Sequence, residues 1–315
     1  MTINAVTHDG VFHADDVFAA ATLRLAAQRP GHPGVAIRRS RNPEALERAH
    51  IRFDVGGRST PATGDFDHHQ PGGAGERENG IPNASFGLIW KQFGATAVEA
   101  VLGLMDNEHS FDAIDVMREV DRILVQQIDA GDNGVNLSAP THPDALPVTI
   151  SNVISWLNPA VGEPSDKDAF DDAFEEAVAM AMLVLRRAIV RAYGPILARE
   201  MIDAALAVSA VQEPRVVVLN QFLPWKEILI ARAPDALYVI YPSAGTWRVE
   251  CVPVEAGQFG SRRPLPEAWA GLDGAALAAL TGVGDATFAH KGRFIAGAKS
   301  REGALALARL ALDAA

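Results

Sequence analysis

The stretch FDHHQ, residues 66–70, places two adjacent histidines directly behind an aspartate. Such a pair suits neither a surface turn nor an apolar core. It does suit a bound cation, because imidazole nitrogens and carboxylate oxygens are ligands of borderline divalent metals. Two upstream stretches carry the same kinds of side chain, THDGVFHADD at 7–16 and FDVGG at 53–57. Together the three stretches indicate a divalent-metal hydrolase site.

The composition limits the class of protein. With 315 residues the chain is long enough for two domains and a substantial core. Its formal charge of −11 argues against avid, nonspecific binding of nucleic acid, which needs a basic surface. A phosphoester substrate is compatible with this charge, because bound cations can neutralise acidic side chains. Cys251 is the sole cysteine, so the sequence contains neither a disulfide framework nor a CxxC zinc site.

The sequence also gives an expectation about location. The N-terminus lacks the basic and apolar regions of a signal peptide. The longest apolar run, 177–185, has about half the length that a membrane span requires. We therefore expect a cytoplasmic protein that does not associate with a membrane.

Apolar runs alternate with helical patterns near the N-terminus. In chain order the patterns predict a strand at 3–7, a helix at 17–27, a strand at 35–38, a helix at 43–49 and a strand at 51–55. This alternation predicts βαβ units and a parallel sheet. Ligands of such sheets bind beyond the carboxyl ends of the strands. The topology alone should therefore bring His8 and Asp54 together.

The remaining chain divides into a helical part and a mixed part. Further helices are predicted at 85–93, 96–105 and 111–128, with loops at 71–82 and 138–147 and a turn at 129–134. A helical region then runs from about 165 to 212, with a bend expected at Gly194 and Pro195. Pro214 ends it and marks a domain boundary. Beyond it we expect strands at 216–219, 237–241, 247–252 and 294–297, and a helix at 301–313.

Seven side chains that can bind metal lie on predicted loops at one edge of the sheet: His8, His13, Asp15, Asp54, Asp67, His68 and His69. A single zinc needs three or four ligands. A larger, carboxylate-rich set suits two Mn²⁺ or Mg²⁺ ions about 3.5–4 Å apart, which polarise a phosphoryl oxygen and activate water. Asp129 and Asp132 extend the set, unless they only end a helix. The sequence leaves that choice open.

The stretches at 7–15, 54–57 and 67–70 resemble motifs of the DHH superfamily of metal-dependent phosphoesterases. They resemble more closely those of its melanocyte proliferating gene family of metal-dependent hydrolases. Later stretches also resemble that family and occur in the same order over nearly the whole chain. They are DAGDNG at 129–134, PWKE at 224–227, CVP at 251–253, LPEAW at 265–269, FI at 294–295 and REGA at 301–304. On these stretches the chain is identified as a member of the family.

The resemblance implies an α/β fold in three parts. A DHH-type catalytic domain with a parallel sheet flanked by helices would occupy 1–164, and a long helical connector 165–213. A smaller C-terminal α+β domain at 214–315 would bind the substrate, with the active site in the cleft between the domains. The implied ligands of one ion are His8, His13 and Asp54. Those of the other are Asp15, Asp54, His68 and either Asp129 or Asp132.

Two further roles follow from the resemblance. Asp67 would orient His68, and His69 would face the substrate phosphate, so Asp67 and His69 are the implied catalytic residues. The superfamily's more common first motif has aspartate where His13 stands. This difference leaves the role of His13 open and favours Mn²⁺ over Mg²⁺.

The implied activity is hydrolysis of phosphodiesters. Members of the family are assigned 3′–5′ exonuclease activity on RNA, so the expected substrate is RNA or a short oligonucleotide. Residues expected to contact it by position and charge are Lys226, Arg262, His290, Lys299 and Arg301. Two alternatives stay open: a phosphohydrolase of pyrophosphate, a nucleotide or a cyclic dinucleotide, and a non-catalytic metal-dependent RNA-binding module. Assembly as a homodimer is also left open.

Overall fold

The computed structural model describes residues 2–103, 112–139, 142, 147–255, 257 and 260–314. The chain divides into two compact units, Met1–Gly194 and Pro195–Ala315. The division falls inside a 46-residue helix, Lys167–Gln212. The three-part assignment to 1–164, 165–213 and 214–315 stays a prediction.

The first unit begins with alternating strands and helices and continues as helices. Its elements are β1 (Thr2–Thr7), α1 (Ala14–Ala26), β2 (Gly34–Arg39), α2 (Pro43–Glu47), β3 (Ile51–Phe53), β4 (Ser59–Thr60), β5 (Asp65–Phe66), α3 (Ser85–Gly103), α4 (Ala113–Val120), α5 (Gln126–Asp132), α6 (Ile150–Ser155) and the first part of α7 (Lys167–Gln212). A π-helical turn, Asp121–Val125, joins α4 to α5.

The strands of the first unit form a sheet in the order β2-β1-β3-β5-β4. The pairs β1–β2, β1–β3 and β3–β5 are parallel, and only the short β4 runs antiparallel to its neighbour β5. The predicted parallel sheet is therefore confirmed. Because parallel strands end at one edge, the residues that follow β1, β3 and β5 converge there; they are His8, Asp54 and Asp67.

Helix α3 differs from the prediction. Two helices were expected, at 85–93 and 96–105, but Ser85–Gly103 is continuous. The helix continues through Gly94, where neighbouring side chains approach too closely for any residue larger than glycine. A Cβ atom at Gly94 would lie 2.8 Å from the Trp90 ring and 3.0 Å from Met117 of α4. Residues 104, 105 and 111 of the predicted helices, and most of the predicted loop at 138–147, lie outside the described residues.

The second unit contains the end of α7 and a mixed sheet. The elements are β6 (Val216–Val218), α8 (Lys226–Arg232), β7 (Tyr238–Ser243), β8 (Thr246–Cys251), α9 (Gly274–Thr281), β9 (Ala286–Ala289), β10 (Ile295–Ala298) and α10 (Arg301–Asp313). The strand order is β6-β7-β8-β10-β9, and among the described strands of this unit β6–β7 is the parallel pair. The predicted α+β character is confirmed.

Apolar side chains cover both faces of this second sheet. Tyr238 and Ile240 of β7 belong to a cluster with Leu307 of α10, whereas Val239 and Tyr241 belong to a cluster with Leu229 of α8. Alternate residues of β7 thus reach opposite faces, as a strand requires. Across the described residues, no helix combines the length and the apolar character needed to cross a membrane.

The packing of α3 against α5 generates a stability prediction. A Cβ atom at Gly87 would lie 1.9 Å from Oδ2 of the buried Asp129, so Gly87→Ala should lower the free energy of unfolding by about 1–3 kcal/mol. Gly103→Ala is the matched control, because it lies in the same helix with no atom within 4 Å of its added Cβ. Urea unfolding of both variants checks this. Equal stability of the two would contradict the packing described.

Candidate metal centre

Asp54 lies at the middle of the converging donors. Its carboxylate is buried, 4% exposed, and its oxygens lie 3.1 Å from Nε2 of His8, 3.4 Å from Nε2 of His68 and 3.4 Å from Nδ1 of His69. Its backbone φ is +54°, a left-handed conformation that aspartate tolerates better than most residues. This conformation ends β3 at Phe53, two residues before the predicted end of that strand, and turns the carboxylate toward the three histidines.

The N-terminus of α1 supplies two more carboxylates. The backbone N–H of His13 donates to Oδ1 of Asp16 at 2.9 Å, which fixes the start of the helix. Oδ2 of Asp16 lies 3.2 Å from Nε2 of His8. Asp15 is fully buried, and neither of its carboxylate oxygens has a hydrogen-bond partner. A buried carboxylate without such a partner is costly unless it binds a cation.

His68 brings the donors of three different elements together. Its Nε2 lies 3.1 Å from Asp132, 3.4 Å from Asp54 and 3.7 Å from Asp15. Asp132 is the last residue of α5, so this helix reaches the same centre as α1 and β3. Of the two carboxylates that the sequence left open, Asp132 is the one that the structure places among the other donors.

Asp129 lies in a different environment. It is fully buried, accepts a hydrogen bond from the Gly87 backbone N–H at 3.0 Å and pairs with Arg77 at 2.9 Å. Arg77 also pairs with Asp121 of the π-helical turn at 2.7 Å. Burial raises the pKa of Asp129 to about 6 against the opposing effect of Arg77. Asp129 therefore ties α5 to α3 and to the loop at 71–82, and the structure does not bring it to the metal donors.

Asp67 supports its neighbours through both oxygens. Oδ1 lies 2.8 Å from Nδ1 of His69 and accepts the backbone N–H of His68 at 2.8 Å. Oδ2 accepts the Gly57 backbone N–H at 2.6 Å. The resemblance implied that Asp67 orients His68, whereas the ring it contacts in the structure is that of His69. The side chain of His69 is 62% exposed.

The pKa values report how closely these charges are packed. Burial opposes the charged form of His8, but hydrogen bonds to Asp16 and Asp54 raise its pKa to about 10. Burial likewise opposes a charged His68, and its contacts with Asp132 and Asp54 raise its pKa to about 10. Burial raises the pKa of Asp15 well above its usual range, and repulsion from Asp54 adds to this. The carboxylates need nearby positive charge.

The donor set fits divalent ions. Four groups of side chains among the described residues place one donor atom each within 4.8 Å of one another; they are His8–His13–Asp54, Asp54–His68–His69, His13–Asp15–Asp132 and Asp15–Asp16–Asp54. Asp54 belongs to three of them. Imidazole and carboxylate together suit transition metals such as manganese, and the unpartnered oxygens of Asp15 are free to coordinate.

The loop between His8 and His13 is held by side chains from outside it. Nη2 of the buried Arg39 donates to the Gly10 carbonyl at 2.5 Å, and Arg39 stacks on Phe12 with 5.6 Å between guanidinium and ring centroid. Asn158 accepts the Phe12 backbone N–H at 3.0 Å and donates to the Phe12 carbonyl at 3.0 Å. These bonds position both histidines before any cation binds.

An open cavity of about 690 Å³ adjoins the centre. His8, His13, Asp54 and His69 line it, together with Arg41, which is the one arginine or lysine among its lining residues. Nη1 of Arg41 lies 2.9 Å from Oδ1 of Asp9. The cavity is large enough to admit part of a phosphorylated substrate next to the donors.

The predicted substrate contacts of the second unit have varied surroundings. Nη1 of Arg262 donates to three carbonyls at the end of α8 and beyond, those of Ala233, Pro234 and Ala236, so its guanidinium supports the fold of this unit. Lys226 pairs with Glu250 at 2.8 Å. The others are exposed: Lys299, Arg301 and His290, whose ring lies 4.5 Å from the Phe294 ring at a tilt of 53°.

Sequence reasoning missed two residues at this site. Asp16 is not among the seven predicted donors, although its position next to Asp15 and its three-residue spacing from His13 indicate a carboxylate beside His8. Arg41 follows the end of β2 by two residues and gave no signal of its own. Its place in the cavity depends on the sheet order, which puts β2 beside β1.

Comparison with known proteins identifies the family. Residues 4–312 match the family model MYG1_exonuc, described as "Uncharacterised protein family (UPF0160)". The chain belongs to this family. It is 35% identical to the human MYG1 exonuclease over 97% of this chain and 85% of that protein. It is 32% identical to MYG1 protein YER156C of Saccharomyces cerevisiae over 99% of this chain and 96% of that protein.

The predicted membership of the melanocyte proliferating gene family is therefore confirmed, and the chain is a hydrolase of the phosphoesterase and nuclease class. A crystal structure of RecJ from Thermus thermophilus in complex with Mn²⁺ is 14% identical, with a TM-score of 0.24. That match covers 99% of this chain and 52% of the RecJ chain. At this TM-score it supports no argument.

The position of Asp54 generates a prediction about metal binding. Calorimetric titration with Mn²⁺ should show binding to the wild type, and Asp54→Asn should weaken it at least about tenfold, the loss expected even for residues behind the ligands. Asparagine tolerates the same left-handed backbone, so the fold should persist. Asp115→Asn, an exposed carboxylate on α4, is the control and should bind as the wild type does. Unchanged affinity in Asp54→Asn would contradict the assignment.

Proposed function

We propose that this protein is a two-metal phosphodiesterase that acts as a 3′–5′ exonuclease on RNA or short oligonucleotides. The observation that carries the proposal is the position of Asp54, shared by three overlapping groups of donors. One carboxylate between two sets of imidazole and carboxylate ligands would suit two neighbouring ions.

The donors form two sets. His8, His13 and Asp54 would hold one ion, in keeping with their mutual distances. His68 would hold the other together with Asp15, Asp54 and Asp132, each of which has a carboxylate oxygen within 3.7 Å of Nε2 of His68. Mn²⁺ suits this mixture of nitrogen and oxygen ligands better than Mg²⁺, which prefers oxygen.

The protein side chains orient the substrate at this centre. When bound, divalent ions of this kind polarise a phosphoryl oxygen and lower the pKa of water. Oδ1 of Asp67 accepts a hydrogen bond from Nδ1–H of His69. This leaves Nε2 of that exposed ring available to a phosphate oxygen in the cavity. Arg41, on the wall of the same cavity, places a fixed positive charge near the phosphate.

The choice of substrate rests on the relatives. The human, rat and mouse relatives are named MYG1 exonuclease, at 34–35% identity over 97% of this chain. An exonuclease acts on one chain end at a time, which fits a centre with limited positive charge better than binding along a polyanion would. Lys299 and Arg301 of the second unit are proposed as additional phosphate contacts.

A second candidate is a phosphohydrolase of pyrophosphate, a nucleotide or a cyclic dinucleotide. The observation that favours it is the cavity lining, in which Arg41 is the one arginine or lysine. The acidic balance of the chain, −11, points in the same direction. Small substrates need few cationic contacts, whereas long RNA needs many.

Cleavage of 5′-labelled single-stranded RNA in Mn²⁺ tests the first candidate. We expect products that shorten one nucleotide at a time from the 3′ end, and no products after addition of EDTA. His68→Ala should reduce the rate at least about a hundredfold, and Asp67→Ala should do so through the loss of its support for His69.

His32→Ala is the control, because His32 bonds to the backbone of its own loop and is not among the donors. Full cleavage by both His68→Ala and Asp67→Ala would refute the proposed function. Phosphate release from pyrophosphate or a cyclic dinucleotide, with no RNA shortening, would select the second candidate. RNA affinity without turnover in any metal would select a binding module instead.

A further inference from the structure

Trp156 is the tryptophan that this fold leaves open. It is 67% exposed, whereas Trp90, Trp225 and Trp269 are at most 6% exposed and Trp247 is half-buried. An indole buries 150–250 Å² when it packs, with a large gain in free energy. Exposure alone would need no explanation, but Trp156 also directly follows a helix that packs against the donor-bearing helices α1 and α5.

Helix α6, which ends just before Trp156, packs against both helices that carry donors, α1 and α5. A Cβ atom added to Gly131 would lie 3.7 Å from Oγ of Ser151 in α6. Since Gly131 precedes Asp132, α6 begins beside one of the donors. Helix α6 therefore lies beside the part of the metal centre that α1 and α5 form.

The chain just after Trp156 is fixed to the loop that carries His13. The side chain of Asn158 makes two hydrogen bonds, both of 3.0 Å, to the backbone of Phe12, the residue before His13. Two residues span at most about 7 Å, so the Cα atom of Trp156 lies within that distance of the Cα atom of Asn158, whose side chain bonds to the loop that carries His13. His13, Asp15 and Asp132 offer donor atoms within 4.8 Å of one another.

The segment of chain that carries Trp156 contains no charged side chain. From Pro147 to Gly162 the chain contains no aspartate, glutamate, lysine or arginine, although the protein as a whole carries a charge of −11. Val11, the residue before Phe12, is 55% exposed and lines the cavity. An exposed aromatic ring on an uncharged segment is suited to a nucleobase, while the carboxylate-rich centre is suited to the phosphate.

We propose that Trp156 is a stacking platform for the nucleobase next to the phosphodiester held at the metal centre. This inference rests on the proposed function. The metal centre accounts for binding of the phosphate, and Trp156 would account for binding of the base. Stacking on an aromatic ring tolerates every base, since each has a π-face, so the platform gives affinity for nucleic acid without sequence preference.

The test compares two ligands that differ only in their bases. One is a short oligodeoxyadenylate, and the other is an abasic oligomer with the same sugar-phosphate backbone and length. The first readout is quenching of tryptophan fluorescence at equilibrium. We expect the oligodeoxyadenylate to quench the wild type and the abasic oligomer to leave its emission unchanged, with Trp156→Phe showing no quenching by either.

The second readout is affinity, measured by competition against a labelled oligodeoxyadenylate. Trp156→Ala should bind oligodeoxyadenylate about tenfold more weakly, within the range measured for loss of one stacked base, and should bind the abasic oligomer as the wild type does. Trp156→Phe should retain most of the affinity. Val148→Ala is the control, since Val148 is 63% exposed in the same uncharged segment, and it should bind both ligands normally.

The outcomes separate this inference from the proposed function. Base-dependent quenching without any cleavage of RNA or DNA would support the platform and reject the nuclease activity. Equal loss of affinity for both oligomers in Trp156→Ala would overturn the platform, because a purely structural role predicts that result. No quenching by oligodeoxyadenylate would also overturn it, as would emission that changes with protein concentration alone, the result expected if a second copy covers Trp156.

Discussion

The candidate site depends on a buried carboxylate in an unfavourable backbone conformation. Asp54 combines a φ of +54° with 4% exposure and three imidazole nitrogens within 3.4 Å. A buried anion is stable only when opposite charge lies close to it, and the neighbouring histidines supply that charge. Burial opposes ionisation of Asp54, but its contacts with His68 and His8 hold its pKa well below the usual range. A strained residue of this kind is typical of functional sites.

The rest of the first unit maintains this arrangement through independent supports. Arg39 and Asn158 hold the loop between His8 and His13, Asp67 holds His69, and Arg77 holds α5 through Asp129. Together the supports reach three donor-bearing segments: the loop between His8 and His13, the stretch after β5, and α5. The donors are therefore positioned by the fold, and cations need only displace protons and water to bind. Preorganisation of this kind keeps a metal centre at a fixed geometry during turnover.

The sequence predicted the convergence of donors because it depends on simple topology. Alternating strands and helices place His8 and Asp54 at the same sheet edge, and the structure confirms the parallel strands. The sequence alone could not decide whether Asp129 or Asp132 joins the donors. That choice depends on Arg77, which is remote in sequence and reaches Asp129 through the fold. The contact of Asp67 also differs from the expected one. Its side chain contacts the ring of His69 and not that of His68, and spacing alone does not distinguish these two adjacent histidines.

Other features escaped prediction because tertiary contacts overrule local preference. The two-residue strands β4 and β5 are too short to give a periodic signal, yet β5 delivers Asp67 to the site. Gly94 lies between the two predicted helices at 85–93 and 96–105, and its lack of a side chain is what allows α4 to pack against the continuous α3. Helix α6 was not predicted at all; its neighbours α1 and α5 stabilise it against low intrinsic preference.

Anomalous scattering from crystals grown with Mn²⁺ tests the central claim most directly. We expect two manganese peaks about 3.5–4 Å apart, with one oxygen or both of Asp54 coordinating both ions, His8 on one and His68 on the other. A single peak, or two peaks of which only one contacts Asp54, would contradict a centre built on a shared carboxylate.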